Sequence, residues 1–150
     1  MDCVIFGFDG IQLYVLLIDR ENQLKNVVSE FALPGNLILD DENLDMAAER
    51  VLKELTGLSV IYLEQFGAFG DPDRIKKKED QPWLKAVRSV PNARVITVGY
   101  YSLIRMSDYE LNPSSFAKNA KWMPLNSIKK LPFDHLKILN SSIEYLRSNT

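Results

Sequence analysis

The chain opens with two runs of apolar, β-branched and aromatic residues, Cys3 to Phe8 and Ile11 to Asp19, separated by Asp9-Gly10. Asp-Gly between apolar runs is a hairpin signal, because glycine accepts the positive φ of a tight turn. Residues 21–30 are polar and read as a loop; Phe31-Ala-Leu-Pro34 then gives a short strand ended by the turn residues Pro34-Gly35-Asn36. The period changes next. Apolar residues at 44, 47, 48, 51, 52, 55 and 58 form a broad helical stripe, predicting a helix from Asn43 to a left-handed stop at Gly57. Val60 to Phe69 reads as a strand broken by Gly67, and Arg94 to Arg105 as a longer β-branched and aromatic one. Between them, residues 70–92 are charged and punctuated by proline, with room for a helical turn or two around Trp83 to Val90. A stretch of that length is expected to be a functional insertion rather than a connector. Lys121 to Leu125 gives a short strand closed by Pro124. The last helix runs from His135 to Arg147, capped by Asp134, with Leu136, Leu139, Ile143 and Leu146 on one face. The order β-β-β-α-β-β-β-α predicts an α+β fold, a mixed sheet packed between helices in an α/β/α sandwich.

Length and charge narrow the function. One domain spanning 1–150 is expected, large enough to fold on its core without staples. Lys plus Arg number 18 against 20 for Asp plus Glu, a net charge of −2 that disfavours a dedicated nucleic-acid binder. The single cysteine, Cys3, excludes an intramolecular disulfide and a multi-cysteine zinc site, and reads as a small strand residue. The single histidine, His135, excludes a two-histidine metal site and reads as structural or surface rather than acid–base. No apolar run approaches the roughly 18 residues of a membrane span, and the strand-like, acidic start does not read as a signal peptide. A cytoplasmic domain is expected.

The informative segment is PGNLILDDENLDMAAERVLKELTGL, residues 34–58. It resembles the Nudix box: Gly, five residues, Glu, seven residues, then Arg-Glu-aliphatic-any-Glu-Glu-any-Gly-aliphatic. Gly57 and Leu58 end the motif, with Leu52 at its aliphatic position, Arg50 at its Arg, Glu42 at its first Glu and Glu54 at the first carboxylate of the pair. Three positions depart: Asn36 replaces the opening Gly, Val51 the Glu after the Arg, and Leu55 the second Glu of the pair. LLIDR (16–20), EFALPG (30–35), FGDPDR (69–74), ARVITVGYY (93–101), NAKWMPL (119–125) and LPFDHLKIL (131–139) extend the resemblance over nearly the whole chain. They are similar to the branch that holds ADP-ribose pyrophosphatase-like enzymes and Nudix-type transcriptional regulators.

What the resemblance implies must pass the chemistry of the departures. Nudix hydrolysis is metal-assisted: helix carboxylates hold Mg²⁺ or Mn²⁺, which neutralises the diphosphate and positions water. Positions 51 and 55 share one helix face and here carry Val51 and Leu55, leaving Glu54 as the family's metal ligand. Asp41, Asp45 and Glu49 are nearby substitutes, but Glu49 is roughly 200° of helix rotation from Val51. Glu54 with Arg50 is either an i, i+4 pair supporting the helix or the family's Arg positioning a box carboxylate. Glu42 is either the box Glu or an acidic residue favoured near a helix start. Val51 and Leu55 are either plain core or the lining of a former metal pocket that now suits a metal-free ligand. Asp71, Asp73 and Arg74 are either turn chemistry or a loop bordering the ligand. Arg20 and Arg94 are either solvated strand ends or diphosphate contacts through charge-assisted hydrogen bonds. Lys76 to Lys78 reads as a solvated loop tip.

The resulting expectation is an effector-binding domain for an ADP-ribose-like nucleotide or a sugar, with hydrolase activity lost or weak. The alternative is a divergent metal-dependent hydrolase of an ADP-ribose-like nucleoside diphosphate derivative, with Mg²⁺ or Mn²⁺ on Glu54 and substrate oxygens; otherwise no cofactor is implied. A dimerisation module with an unused pocket is the third reading. The resemblance further implies a homodimer. Since the related regulators carry their DNA-binding domain beyond this segment, residues 1–150 alone are expected to bind no nucleic acid.

Overall fold

The computed structural model describes residues 1–20, 31–75, 94–111 and 117–149. The proposed loop over 21–30, the Lys76 to Lys78 tip and the helical turns around Trp83 to Val90 lie outside the described residues. The elements are β1 (Asp2–Phe8), β2 (Leu13–Arg20), β3 (Phe31–Ala32), α1 (Leu44–Thr56), β4 (Glu64–Phe69), β5 (Thr97–Arg105), β6 (Ala117–Pro124) and α2 (His135–Ser148), the predicted order. Short 3-10 turns follow β5 and β6.

The strands form one six-stranded mixed sheet in the order β3-β2-β1-β5-β4, with β6 also pairing β2. β1 and β2 are the predicted antiparallel hairpin, with Phe8 opposite Leu13. Its turn is set by Asp9, whose Oδ1 accepts the N–H groups of Ile11 and Gln12 at 2.8 Å each, while Gly10 takes φ 98°. β1 and β5 run parallel, from Asp2 opposite Gly99 to Phe8 opposite Arg105.

Two cores lie on the two faces of this sheet, and strand alternation sorts the residues between them. Cys3 and Ile5 of β1 with Leu16 and Ile18 of β2 face α1, where Ala48, Val51, Leu52 and Leu55 cover them. Val4 and Phe6 with Val15 and Leu17 face the opposite way, against Ile138 and Leu139 of α2. Because β1 is buried on both faces, its sequence is a continuous apolar run rather than an alternation. Burial pushes the Cys3 thiol far above its usual range, as expected of an inert core residue.

Helix α1 follows its sequence signals. Asn43 Oδ1 accepts the N–H of Met46 at 2.8 Å, and Gly57 at φ 81° closes the helix by donating to the Lys53 carbonyl. Other boundaries differ from expectation. The strand expected from Val60 begins only at Glu64, because Val60 takes φ 58° and turns the chain out of extended backbone. A β-branched residue in that conformation stores about 1–3 kcal/mol of strain. β5 starts at Thr97 rather than Arg94, and β6 at Ala117 rather than Lys121. Asp134 does precede α2, but its carboxylate makes no cap hydrogen bond, since Arg74 occupies it.

The segment after β3 is pinned to β1. The Cys3 N–H donates to the Pro34 carbonyl at 2.8 Å, and Gly35 bridges Asp2. A Cβ added at Gly35 would run into the Asp2 carboxylate and sit 2.6 Å from the Met1 carbonyl oxygen, which is backbone and cannot swing away. Gly35→Ala is therefore expected to lower stability by about 1–3 kcal/mol, read as a fall in urea midpoint at unchanged slope.

Candidate functional site

The box residues gather around Arg50 on the outer side of α1. Its guanidinium donates through Nε to Glu42 Oε2, through Nη2 to Glu42 Oε1 at 2.9 Å and to the Leu37 carbonyl at 3.0 Å, and through Nη1 to Glu54 Oε2 at 3.2 Å. Glu42 Oε1 also accepts the Leu39 N–H at 2.9 Å. The hydrogen bonds from Arg50, joined by that amide, hold the Glu42 carboxyl below the usual carboxylate range, and Glu42 in turn raises the Arg50 guanidinium. The cluster staples the 36–43 loop to the helix, so both readings of Glu42 and Glu54 have a structural component. Bordering this cluster, a groove of about 550 Å³ runs between the helix face and the chain leaving α1, lined by Glu42, Met46, Glu49, Arg50, Lys53, Val60 and Leu63 among others.

Val51 and Leu55 are elsewhere. They are 0% and 1% exposed and pack in the core beneath α1. The expectation that they line a ligand pocket is corrected on this point: an i, i+4 pair at the centre of the apolar stripe faces the sheet, and no ligand reaches it as placed.

The donor set around α1 does not fit a divalent cation. Val51 and Leu55 offer no oxygen, and the Glu42 and Glu54 carboxylates are engaged by Arg50. Among the described residues no group of three His, Cys, Asp or Glu side chains could hold a metal ion.

The second set of predicted residues is on the other face of the sheet, at the N-terminus of α2. Arg74 is placed as a buried anchor: its side chain is 5% exposed and grips Asp134 by two bonds of 2.9 Å, with Asp2 Oδ2 at 3.8 Å. Asp2 also accepts from Thr97 Oγ1 at 2.6 Å, and lies 3.3 Å from His135 Nε2. The Leu33 N–H donates to His135 Nδ1 at 3.2 Å, which fixes the ring as the tautomer carrying its proton on Nε2 toward Asp2. Burial works against ionisation of Asp2, but His135 and Thr97 outweigh it and hold the carboxyl well below its usual range. His135 is structural, as expected.

Asp71 is exposed and pairs with Lys137 of α2 at 2.7 Å, and Asp73 is exposed on the same turn. The Arg94 Nη2 donates to the Gly70 carbonyl at 2.9 Å, joining the two ends of the 70–95 segment. Arg20 ends β2 opposite Ala117; its side chain lies outside the described part. The sequence therefore named two groups that the fold keeps on opposite faces of the sheet: Glu42, Arg50 and Glu54 by α1, and Asp71, Asp73, Arg74 and Arg94 by α2.

One cluster was missed. Tyr100 on β5 donates to Asp45 Oδ1 at 2.8 Å and accepts from Gln65 Nε2 at 3.0 Å, tying the start of α1 to the β4–β5 pair. Burial and acceptance by Asp45 push its phenol up to about 12. The signal was a tyrosine at an α1-facing position of β5, whose hydroxyl must find a partner.

No family model matches the chain. It is similar to the ADPR responsive transcriptional repressor of Acinetobacter baylyi, 31% identical over 154 residues, which cover 100% of this chain and 54% of the repressor. It is also similar to an ADP-ribose pyrophosphatase of Methanocaldococcus jannaschii, 31% identical over 134 residues, 89% of this chain and 66% of that enzyme. The chain thus spans between about half and two thirds of the length of these relatives. Its fold superposes on the Nudix domain of the Shewanella oneidensis regulator NrtR, solved in complex with ADP ribose, with TM-score 0.75 and 27% identity over 97% of this chain and 85% of that one.

Proposed function

Because the chain is a Nudix-fold domain, homologous to an ADPR-responsive repressor and to an ADP-ribose pyrophosphatase, we propose that it binds an ADP-ribose-like nucleotide, or a sugar, as an effector and hydrolyses it weakly or not at all. The observation that carries this reading is the burial of Val51 and Leu55 at the two box positions where metal-holding carboxylates belong. The rate advantage of such a hydrolase comes from charge placed against the developing charge of the reacting diphosphate. Here the box carboxylates that remain are turned to holding a loop. In this reading the active site is degenerate, and Arg50, Glu42 and Glu54 shape the effector site rather than carry out chemistry. Arg20 supplies a polar contact from the end of β2, whereas Arg94, Asp71 and Asp73, on the loop that Arg74 fixes at the opposite face of the sheet, serve a ligand bound on that face rather than at the Arg50 cluster. The domain works as a cytoplasmic homodimer, and in residues 1–150 alone contacts no nucleic acid. No helix among the described residues is long and apolar enough to cross a membrane.

The test is phosphorus NMR of the protein with ADP-ribose and excess Mg²⁺. The expected result is diphosphate signals that shift or broaden and do not convert over hours. Monophosphate signals growing with turnover would establish the metal-dependent hydrolase, the reading that the pyrophosphatase homologue favours. Unchanged spectra would remove the nucleotide and leave free sugars as ligand.

A further inference from the structure

The groove beside the Arg50 cluster discriminates between the parts of a nucleotide effector by their chemistry. Its volume, about 550 Å³, is that of a small-molecule site. On the helix wall Glu49 and Lys53 stand one turn apart, both exposed, and neither side chain makes a hydrogen bond or ion pair with a described residue. Ser59 adds an exposed hydroxyl from the opposite wall, between the apolar Leu58 and Ile61. Val60, on that same wall, is held at φ 58°. Backbone strain of this kind persists where the surrounding structure enforces it, and it concentrates at ligand clamps.

Two parts of the effector do not suit this groove. Glu42 and Glu49 balance Arg50 and Lys53 along it, and four of the five Arg50 N–H groups are already donated to Glu42, Glu54 and the Leu37 carbonyl. A diphosphate therefore meets no excess of positive charge or of free donors. A base meets no ring to stack on, because no aromatic side chain lines the groove. A sugar fits. Each of its hydroxyls both donates and accepts, so the Glu49 carboxylate takes hydrogen bonds from one and the Lys53 ammonium gives a hydrogen bond to another, with no net charge required. The C–H edges of the ring pack against the aliphatic wall. The geometry points to the α1 groove as the subsite for the sugar remote from the base, with Glu49 and Lys53 setting its specificity. The same chemistry serves the terminal ribosyl group of a nucleotide or a free pentose. It rests on the effector reading above and names the part of the effector that this groove takes.

Titration calorimetry with ADP-ribose and with ADP, which lacks the second sugar, tests it on the unmodified chain, Glu49→Ala and Glu49→Gln. The unmodified chain is expected to bind ADP-ribose at least about tenfold more tightly than ADP. Glu49→Ala is expected to cut that ratio by about fivefold or more, and Glu49→Gln, which keeps one acceptor oxygen, to retain part of it. Position 49 is exposed, so a urea midpoint close to that of the unmodified chain shows that the loss is not one of folding. A ratio near one in the unmodified chain, or one that neither variant moves, would overturn the sugar subsite and leave the nucleotide effector in place. Affinities for both nucleotides falling in parallel would overturn it too, because the groove would then hold the part they share. If neither nucleotide binds, the nucleotide effector falls by itself, and free ribose followed through the Ile61 and Leu63 methyl resonances decides the subsite. Methyl shifts that disappear in Glu49→Ala would uphold it for a free pentose, and methyls that ribose leaves unmoved would overturn it as well.

Discussion

Replacing Val51 and Leu55 together by glutamate, the change that restores the Nudix pattern on paper, is expected to unfold the protein rather than create a metal site. Both positions lie in the core against β1 and β2, 0% and 1% exposed. Truncating a buried leucine costs about 2–5 kcal/mol from lost burial and cavity formation alone. A carboxyl placed there must in addition shed its water with no described partner within the apolar cluster. Each single change is expected to cost about 3–5 kcal/mol. The pair therefore approaches the whole stability of a typical domain, about 5–15 kcal/mol. The sum is not strictly additive, because the residues are one helical turn apart and share neighbours. Urea titrations of the single variants measure the cost, and circular dichroism of the double variant shows whether a cooperative transition remains.

The pH dependence of those variants carries a second, independent sign. Burial raises a carboxyl above its unfolded value, so each variant is most stable below the ordinary carboxylate range. It loses that stability as pH rises through the raised value. Glu49→Ala, on the exposed side of the same helix, is expected to change stability by less than about 0.5 kcal/mol. A double variant that folds at neutral pH and binds Mn²⁺ would show that α1 can rotate its box face outward. The hydrolase reading would then regain its ground.

How far the sequence discloses this arrangement depends on the range of the interaction. Helix α1 was legible to within a residue because its determinants are local: the Asn43 cap, the apolar stripe and Gly57 all lie within fifteen positions. The hairpin was legible for the same reason, through Asp9 and Gly10. The degenerate box was readable as spacing, but spacing cannot say whether Val51 and Leu55 line a pocket or fill a core; that is decided by what the opposite strands present, here Cys3, Ile5 and Leu16. Val60 defeated the strand expectation because its residue type prefers extended backbone and only tertiary context holds it at positive φ. The Arg74 network joins residues up to 133 positions apart, from Asp2 to His135, and no local pattern reports it. One clue existed: a carboxylate at position 2, pointing to the same face as Val4 and Phe6, is a buried acid in search of a partner.

Removing that partner is the second large effect. Arg74→Met keeps the aliphatic stem but leaves Asp134 without its two 2.9 Å bonds and Asp2 without the charge at 3.8 Å. Breaking a buried ion pair from one side costs about 3–5 kcal/mol, because the remaining charge stays desolvated. For a domain of this size each kcal/mol lowers the melting temperature by roughly 2–4 °C, so a fall of about 6–20 °C is expected. Arg74→Met with Asp134→Asn removes both members of the tighter pair and should recover part of the loss, since it is the orphaned charge rather than the missing attraction that dominates. Acid titration reads the same network from Asp2. Its carboxyl lies below the ordinary 3.8 in the folded chain, so the unfolded chain binds more protons in that window. The stabilisation is complete above the ordinary carboxylate range and is lost as pH falls through the depressed value. Asp2→Asn should flatten that acid limb while lowering stability at neutral pH. If Arg74→Met instead melts with the unmodified protein, the 70–75 turn is not anchored through this residue. Its exposed contacts, Asp71 to Lys137 and Arg94 to the Gly70 carbonyl, would then have to hold the loop that this reading assigns to the ligand.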